Sequence, residues 1–312
     1  MDADYQPART VELDESRAGQ RLDNFLFAQF RQLPKGRVYK MLRKGEVRVN
    51  GGRVKQSYRI QAGDKVRLPP VILKPREDSG RAPDSLVEKI VSNIIEINDD
   101  LLVLNKPSGI AVHAGSDVKH GVIEILRQAR ENDAFLELAH RLDRSTSGCL
   151  LLARNRQALN QLHELWRSGE ITKKYLTLLS GRWHGGIRRL EHQLSSDSNR
   201  AQKTRVDPKG KLAIAEFNPL QTFADATLVE VTLETGRTHQ IRVQAAEIGH
   251  PVLGDDKYGD FKINRAWRKR GLKRLFLHSK MLGFRWGAEN KFQTFDSPLP
   301  KNLEKLLSTL EQ

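Results

Sequence analysis

The stretch His140-Arg141-Leu142-Asp143-Arg144-Ser145-Thr146-Ser147-Gly148 sets one carboxylate and three hydroxyls in a polar turn between two apolar runs, LELA and CLLLA. An acyl-transfer hydroxyl would need a Gly-x-Ser-x-Gly elbow, and the chain has none. No Gly-x-x-x-x-Gly-Lys-Ser/Thr or Gly-x-Gly-x-x-Gly follows a strand, so neither nucleotide hydrolysis nor dinucleotide binding is indicated. The nine His are scattered. None forms His-Glu-x-x-His, and the zinc-deaminase pattern is absent. Asp143 remains. Taken alone it could simply cap the turn, with the hydroxyls satisfying backbone groups and Gly148 taking a positive φ. As chemistry it is a single carboxylate flanked by Arg141 and Arg144.

The elements that must position this turn lie in the segment 86–312. Strand-like runs are SNIIEIN, LLVLNK, GCLLLAR, KKYLTLLSG, KLAIAEF and ATLVEVTLE, and helical periods run through HGVIEILRQAREN, RQALNQLHELWRSG and THQIRVQAAEIG. In the last of these Thr238 is the expected N-cap and Gly249 the expected stop. Thr238, Ile241, Arg242 and Ala245 would then share one inward face. Strands cluster without regular alternation with helices, which predicts an α+β domain on a mixed, mainly antiparallel sheet. Cys149 is expected to pack inside its strand. The C-terminal KNLEKLLSTLEQ reads as a short amphipathic packing helix.

Residues 11–70 form a smaller unit of helix, helix, hairpin and strand. Leu22, Phe25, Leu26 and Phe30 recur at helical spacing, as do Val38, Met41 and Leu42. Val47, Val49 and Val54 alternate around the turn Asn50-Gly51-Gly52. Between Arg31 and Lys55 this unit carries nine Lys or Arg against the single acid Glu46. A solvated helix face would account for such a run, because basic stems lie over any surface. Residues 71–85, rich in Pro, Gly and mixed charge, read as a linker.

Across the chain 53 Lys and Arg face 38 Asp and Glu, a formal charge of +15. That excess favours a polyanionic partner, nucleic acid or an anionic membrane surface. No apolar run fits a signal peptide or a membrane span. The single cysteine allows no internal disulfide, and a reducing cytoplasm is expected.

Two resemblances sharpen these readings. RLDNFL, RKGEVRVNGGRV and GDKVRL resemble the S4 RNA-binding domain, which implies that Arg37, Lys40, Arg43, Lys44 and Arg48 contact phosphates and helix shape rather than bases. HRLDRSTSG resembles the signature of the pseudouridine synthases, in particular the group that modifies large-subunit ribosomal RNA and some tRNAs. Further blocks lie in order: LVLNKPSGIAVHAG, KKYLTLLSG, GRTHQIRVQAAEIGHPVLGDDKYGD and RLFLHS. The chain departs from the group's pattern at Gln244, where His is expected.

The resemblance implies an isomerisation of uridine, with C1′–N1 broken, the uracil turned and C1′ rejoined to C5. It needs neither cofactor nor metal. Asp143 is then the catalytic carboxylate, adding to C1′ or removing the C2′ proton. Arg242 would favour its ionised form if it lies within ~4–6 Å. Tyr175 would stack on the flipped base and help move the C5 proton. Asn105 and Lys106 would support the cleft. Arg141 and Arg144 would hold phosphate or displace a base, and the basic runs Arg200–Lys211 and Lys257–Arg274 would either line an RNA groove or form solvated loops. The expected partner is large-subunit ribosomal RNA, with no membrane and a monomeric enzyme. The rival readings are a noncatalytic RNA-binding assembly factor, a sister synthase for other rRNA or tRNA uridines, and a nucleosidase, the last disfavoured because glycoside hydrolysis uses two carboxylates.

Overall fold

Apolar residues at helical spacing near the N-terminus do form two helices on one core. The structure, a computed structural model, describes residues 4–30, 33–73, 80–115, 118–196 and 203–310, and the chain divides into two units, Met1–Gly80 and Arg81–Gln312. The first contains β1 (Asp4–Gln6), β2 (Arg9–Glu12), α1 (Leu22–Gln29), α2 (Lys35–Lys44), β3 (Arg48–Val49), β4 (Lys65–Leu68) and β5 (Val71–Leu73). Leu22, Phe25, Leu26 and Phe30 meet Val38, Met41 and Leu42 over Val49, Val66 and Leu68. Arg37, Lys40, Arg43, Lys44 and Arg48 all stay exposed.

The turn at Asn50-Gly51 is present, both residues having positive φ (49° and 79°). The hairpin expected around it is not a ladder, because beyond the Val49–Gly52 bridge the strand β3 pairs with β4, in the sheet order β2-β4-β3. The buried Asp64 takes over the pinning: its carboxylate accepts from Asn50 Nδ2 (2.8 Å), Tyr58 Oη (3.0 Å) and the Gln61 N–H (2.8 Å). Within the segment 71–85, Val71–Leu73 pairs with Asp4–Gln6, and residues 74–79 lie outside the described residues.

The second unit runs α3 (Asp84–Val91), β6 (Ile94–Ile97), β7 (Leu101–Lys106), α4 (Val122–Ala129), β8 (Glu137–Leu138), β9 (Ser147–Ala153), α5 (Arg156–Ser168), β10 (Thr172–Ser180), β11 (Arg188–Ser196), β12 (Thr204–Val206), β13 (Lys211–Thr222), β14 (Ala226–Leu233), α6 (Gln240–Glu247), α7 (Phe261–Lys269), β15 (Leu277–Trp286), β16 (Lys291–Asp296) and α8 (Lys301–Leu310). The sheet order is β12-β11-β13-β14-β10-β15-β9-β7-β6, with β16 also on β15 and β8 on β9. Every ladder is antiparallel except the short β15–β9 contact. This is the expected mixed, mainly antiparallel α+β sheet.

β7 and β9 read as unbroken apolar runs because both faces are covered. Leu101, Val103, Cys149 and Leu151 pack with Leu159 and Leu162 of α5, while Leu102, Leu104, Leu150 and Leu152 pack with Ile123 and Leu126 of α4. Burial pushes the Cys149 thiol up to about 12.

The turn before β9 ends where β9 meets β15 at Ser147–His278 and Gly148–Ser279. Gly148 has φ +111°, and a Cβ there would lie 2.2 Å from the Ser279 carbonyl oxygen. Only glycine permits this approach, so the loop carrying Asp143 is anchored near the middle of the sheet.

α6 differs from expectation at its start. Thr238 lies outside it, and the residue before Gln240 is His239, in the left-handed region at φ 56° and ψ 20°. Gln240 to Ala245 are buried all round rather than on one face. No side chain caps the helix; the Gln240 side chain instead ties its start to the preceding loop, its Oε1 accepting from the Arg237 N–H at 3.0 Å and the Thr235 hydroxyl at 2.8 Å.

Candidate active site

The Asp143 turn is held from both ends. At its start, His140 Nε2 accepts from the Leu151 N–H at 3.0 Å and its ring stacks on Trp166 at 4.4 Å. Burial pushes this imidazole down to about 3, so it is neutral. Within the turn the Thr146 N–H bonds the Asp143 carbonyl at 3.1 Å.

The loop after β7 clamps the other side. The buried Lys106 Nζ donates to the carbonyls of Pro107 (2.9 Å), Ile110 (2.8 Å) and Arg144 (3.3 Å). Ser108 Oγ donates to the Ser145 carbonyl at 2.7 Å, and Arg144 Nε donates to the Gly109 carbonyl at 2.9 Å. Burial, aided by the Arg274 charge and opposed by Asp143, pushes Lys106 down to about 7.

Four side chains converge on the far side of Asp143. Its carboxylate, 22 % exposed, has Oδ2 3.6 Å from Arg242 Nη1 and 3.6 Å from His239 Nε2. Arg242 is not primarily Asp143's partner: its Nε and Nη2 grip Asp255 at 2.7 and 2.8 Å in a fork-to-fork pair. Asp255 also accepts the N–H groups of Lys257 (2.8 Å) and Tyr258 (3.1 Å). Burial pushes the Asp255 carboxyl up, but the Arg242 bonds and charge, together with those two N–H groups, outweigh it and hold the group below its ordinary value. Tyr258 lies against the guanidinium at 5.0 Å.

His239 is set by the same loop. Tyr258 Oη accepts from the Thr204 N–H at 2.9 Å and pairs with His239 Nδ1 at 2.8 Å; because His239 Nε2 faces the Asp143 carboxylate, which can only accept, the ring N–H belongs on Nε2 and the Tyr258 O–H donates to Nδ1. Burial lowers the His239 pKa; the Asp143 charge opposes this, and Arg242 and Lys257 reinforce it.

Asp143, His239 and Arg242 line two adjoining cavities. One, of about 390 Å³, is walled by Tyr175, Leu233, Ile241, Leu277 and Leu282. The other, of about 710 Å³, is lined by Arg141, Arg144, Lys257, Lys273 and Arg274. Asp143 therefore stands between an apolar chamber suited to a flat base and a cationic cleft suited to phosphates. Burial raises the Tyr175 phenol to about 12, so it carries its proton at neutral pH.

The fold thus gathers Asp143, Tyr175 and Arg242 at one cavity, with Arg141 and Arg144 exposed at the neighbouring cleft. The basic residues of α2 and β3 belong to the other unit, where Arg37 pairs with Glu46 at 3.1 Å and Arg48 bonds the Gly45 carbonyl at 3.3 Å. Lys40, Arg43 and Lys44 make no ion pair among the described residues.

Sequence reasoning assigned no role to Asp255, His239 or Tyr258. The available signal for Asp255 and Tyr258 was one of three acids and one aromatic in DDKYGD, whose proximity to Arg242 is purely tertiary. Gln244 is buried, and its Nε2 donates to the carbonyls of Leu190 (3.1 Å) and Ala213 (3.2 Å), tying α6 to β11 and β13.

Comparison with known proteins identifies the family of the fold. The RNA pseudouridylate synthase family matches residues 100–247 and the S4 domain residues 20–66. A Vibrio cholerae protein, ribosomal large subunit pseudouridine synthase C, is 43 % identical over 305 residues, covering 97 % of this chain and 96 % of its own. The Escherichia coli protein of the same name is 41 % identical over 315 residues, 99 % of each chain. Among solved structures, human RNA pseudouridylate synthase domain containing 4 superposes with a TM-score of 0.61 at 25 % identity, over 73 % of this chain and 96 % of that one. With these matches spanning nearly its whole length, the chain is an isomerase of the RNA pseudouridylate synthase family with an S4 domain at its N-terminal side.

Proposed function

We propose that this enzyme converts specific uridines of 23S ribosomal RNA to pseudouridine, as a cytoplasmic monomer whose residues 11–70 bind RNA and whose residues 86–312 carry the chemistry, joined through 71–85. The observation that carries the reading is the Asp143 carboxylate at the junction of the apolar chamber and the cationic cleft, with Arg242 Nη1 3.6 Å away. The names of the relatives supply the RNA target.

In this reading the target uridine is turned out of its stack, its base enters the chamber against Tyr175 and its phosphates lie along Arg141 and Arg144. Asp143 adds to C1′ or takes the C2′ proton as C1′–N1 breaks and positive character develops on the ribose. Uracil leaves as an anion and turns within the chamber, and C5 bonds to C1′ as the Asp143–C1′ bond breaks or, by the other route, as Asp143 returns the proton to C2′. Tyr175 assists loss of the C5 proton, and N1 gains one, so product and reactant are isomers. Arg242, fixed by Asp255, keeps a positive charge beside the carboxylate throughout. Arg37, Lys40, Arg43, Lys44 and Arg48 hold the phosphates of a structured RNA segment.

The test is incubation with unmodified large-subunit RNA, followed by carbodiimide treatment and primer extension. Discrete new stops with the wild type and none with Asp143→Asn are expected. Absence of any stop with folded protein would overturn the reading, and release of free uracil would replace it with a nucleosidase.

A further inference from the structure

The segment Lys257–Arg274 carries eight Lys or Arg and one acid, Asp260, and the chemistry above uses little of it. Its centre is α7, whose buried residues are Asn264 and Trp267. The opposite face presents Phe261, Lys262, Arg265 and Lys269, with Phe261 73 % exposed and Ile263 beside it 37 % exposed. Phe261 and Arg265 stand one turn apart, so an aromatic ring and a guanidinium occupy the same surface. Lys262, Arg265 and Lys269 make no ion pair among the described residues, whereas Arg268 and Arg270 are taken by Asp256 and Asp225 at 2.7 and 2.6 Å.

This face is rigidly indexed to the reaction centre. Asn264 Oδ1 accepts the Gly254 N–H and its Nδ2 donates to the Asp255 carbonyl, both at 2.9 Å. Gly254 and Asp255 belong to the loop that grips Arg242. Asp260 caps α7 by accepting the Ile263 N–H at 2.9 Å, which fixes the first turn where Phe261 sits. An exposed ring held in place beside unpaired cations is the pattern that binds unpaired nucleotides, the ring taking a base face and the cations its phosphates.

We infer that the α7 face of Phe261, Lys262, Arg265 and Lys269 is a second RNA-contact surface, on which an unpaired nucleobase flanking the target uridine stacks on Phe261. The inference rests on the RNA-modifying reading above. It gives the enzyme a contact that selects substrates having a single-stranded nucleotide at a fixed distance from the uridine, and it does so without base-specific hydrogen bonds.

The test measures binding of an unmodified large-subunit RNA transcript, together with its single-turnover conversion. Phe261→Ala and Phe261→Leu should each weaken binding roughly 5- to 150-fold, the range for losing one stacked base, while Phe261→Tyr stays within about twofold. The single-turnover rate at saturating RNA and the melting temperature should not move, since Phe261 packs against no core. Lys262→Ala combined with Arg265→Ala should lower the slope of log affinity against log salt by about 1.4, two single-strand phosphate contacts, and Phe261→Ala should leave that slope unchanged. Equal affinity in Phe261→Ala, or full affinity in Phe261→Leu, overturns the stacking contact. So does a change in oligomeric state with unchanged RNA affinity, which would make the face a protein interface. Failure of the wild type to bind or convert the transcript would instead sink the proposed function itself.

Discussion

Arg242 reaches Asp143 with only one of its three nitrogens, because Asp255 holds the other two at 2.7 and 2.8 Å. The pair is buried, with Asp255 wholly inaccessible and Arg242 8 % exposed. A guanidinium held by its Nε–Nη2 edge cannot swing toward Asp143 to form a tight ion pair, so it stays at 3.6 Å. There it places a positive charge beside the carboxylate without covering it.

Removing Asp255's charge should therefore be felt twice. Asp255→Asn leaves a buried guanidinium short of its counter-charge and should cost about 3–5 kcal/mol of stability in urea denaturation. It should also lower single-turnover rates, because Arg242 is freed to close on Asp143. The pH dependence has a definite sign. The folded Asp255 carboxyl lies below the ordinary 3.8, so its contribution is complete above about pH 4 and is lost as pH falls through the folded value. The Asn variant should lack that part of the acid-side loss of stability.

Asp143→Asn keeps the size of the side chain and the Thr146 N–H bond to the backbone carbonyl, and removes only the carboxylate. Turnover should vanish while RNA affinity stays within a few fold. Turnover above a trace, with deamidation excluded by mass, would remove Asp143 from the chemistry.

His239 combines a strained backbone with a directed side chain. A non-glycine residue at φ 56° costs of order 1–3 kcal/mol and is retained where the surroundings impose it. Asn tolerates this region and a β-branched residue does not. His239→Asn should keep the melting temperature near that of the wild type and slow conversion, whereas His239→Val should melt several degrees lower. Tyr258→Phe removes the donor that orients the ring and should slow conversion without altering RNA affinity. Wild-type rates in both His239→Asn and Tyr258→Phe would show that Asp143 works without this neighbour.

How far these residues could be read in the chain followed from where their signal lies. β7 and β9 announce themselves because a strand covered on both faces is apolar throughout. β11, RRLEHQLSS, is hidden because its described side chains are mostly exposed or half-buried, with Leu194 the one buried among them. α7 is hidden for the opposite reason, since its apolar Phe261 and Ile263 face outward and its buried face is Asn264 and Trp267. Asp143, Tyr175 and Arg242 sit in local motifs and were legible through resemblance. The Arg242–Asp255 grip was not, because nothing in a spacing of thirteen residues fixes which carboxylate an arginine meets, and the enrichment of His in the left-handed region is too weak for one residue to betray the turn at His239.

The division at Gly80 and Arg81 bears on how affinity is built. Residues 81–312 keep their own core clusters on the sheet, so a protein lacking residues 1–80 should fold. It should bind ribosomal RNA more weakly and with a shallower dependence on salt, because the exposed cations Lys40, Arg43 and Lys44 are gone. Equal affinity and equal slope in the truncated protein would mean that the small unit does not engage the RNA.

Tyr175 is asked to act twice, and substitution separates the two roles. Its ring walls the apolar chamber, and its phenol, raised by burial to about 12, is a proton carrier rather than a ready base. Tyr175→Phe keeps the ring, so RNA binding should barely change. If the phenol assists removal of the C5 proton, the Phe variant should be slowed at a late step, by the roughly 10²–10⁴-fold that a positioned proton transfer contributes. Tyr175→Leu should lose stacking as well and weaken binding. Single-turnover kinetics on RNA deuterated at uridine C5 distinguish the roles. A larger isotope effect in the Phe variant than in the wild type shows that proton loss has become limiting, whereas wild-type speed in the Phe variant leaves Tyr175 as a stacking wall alone.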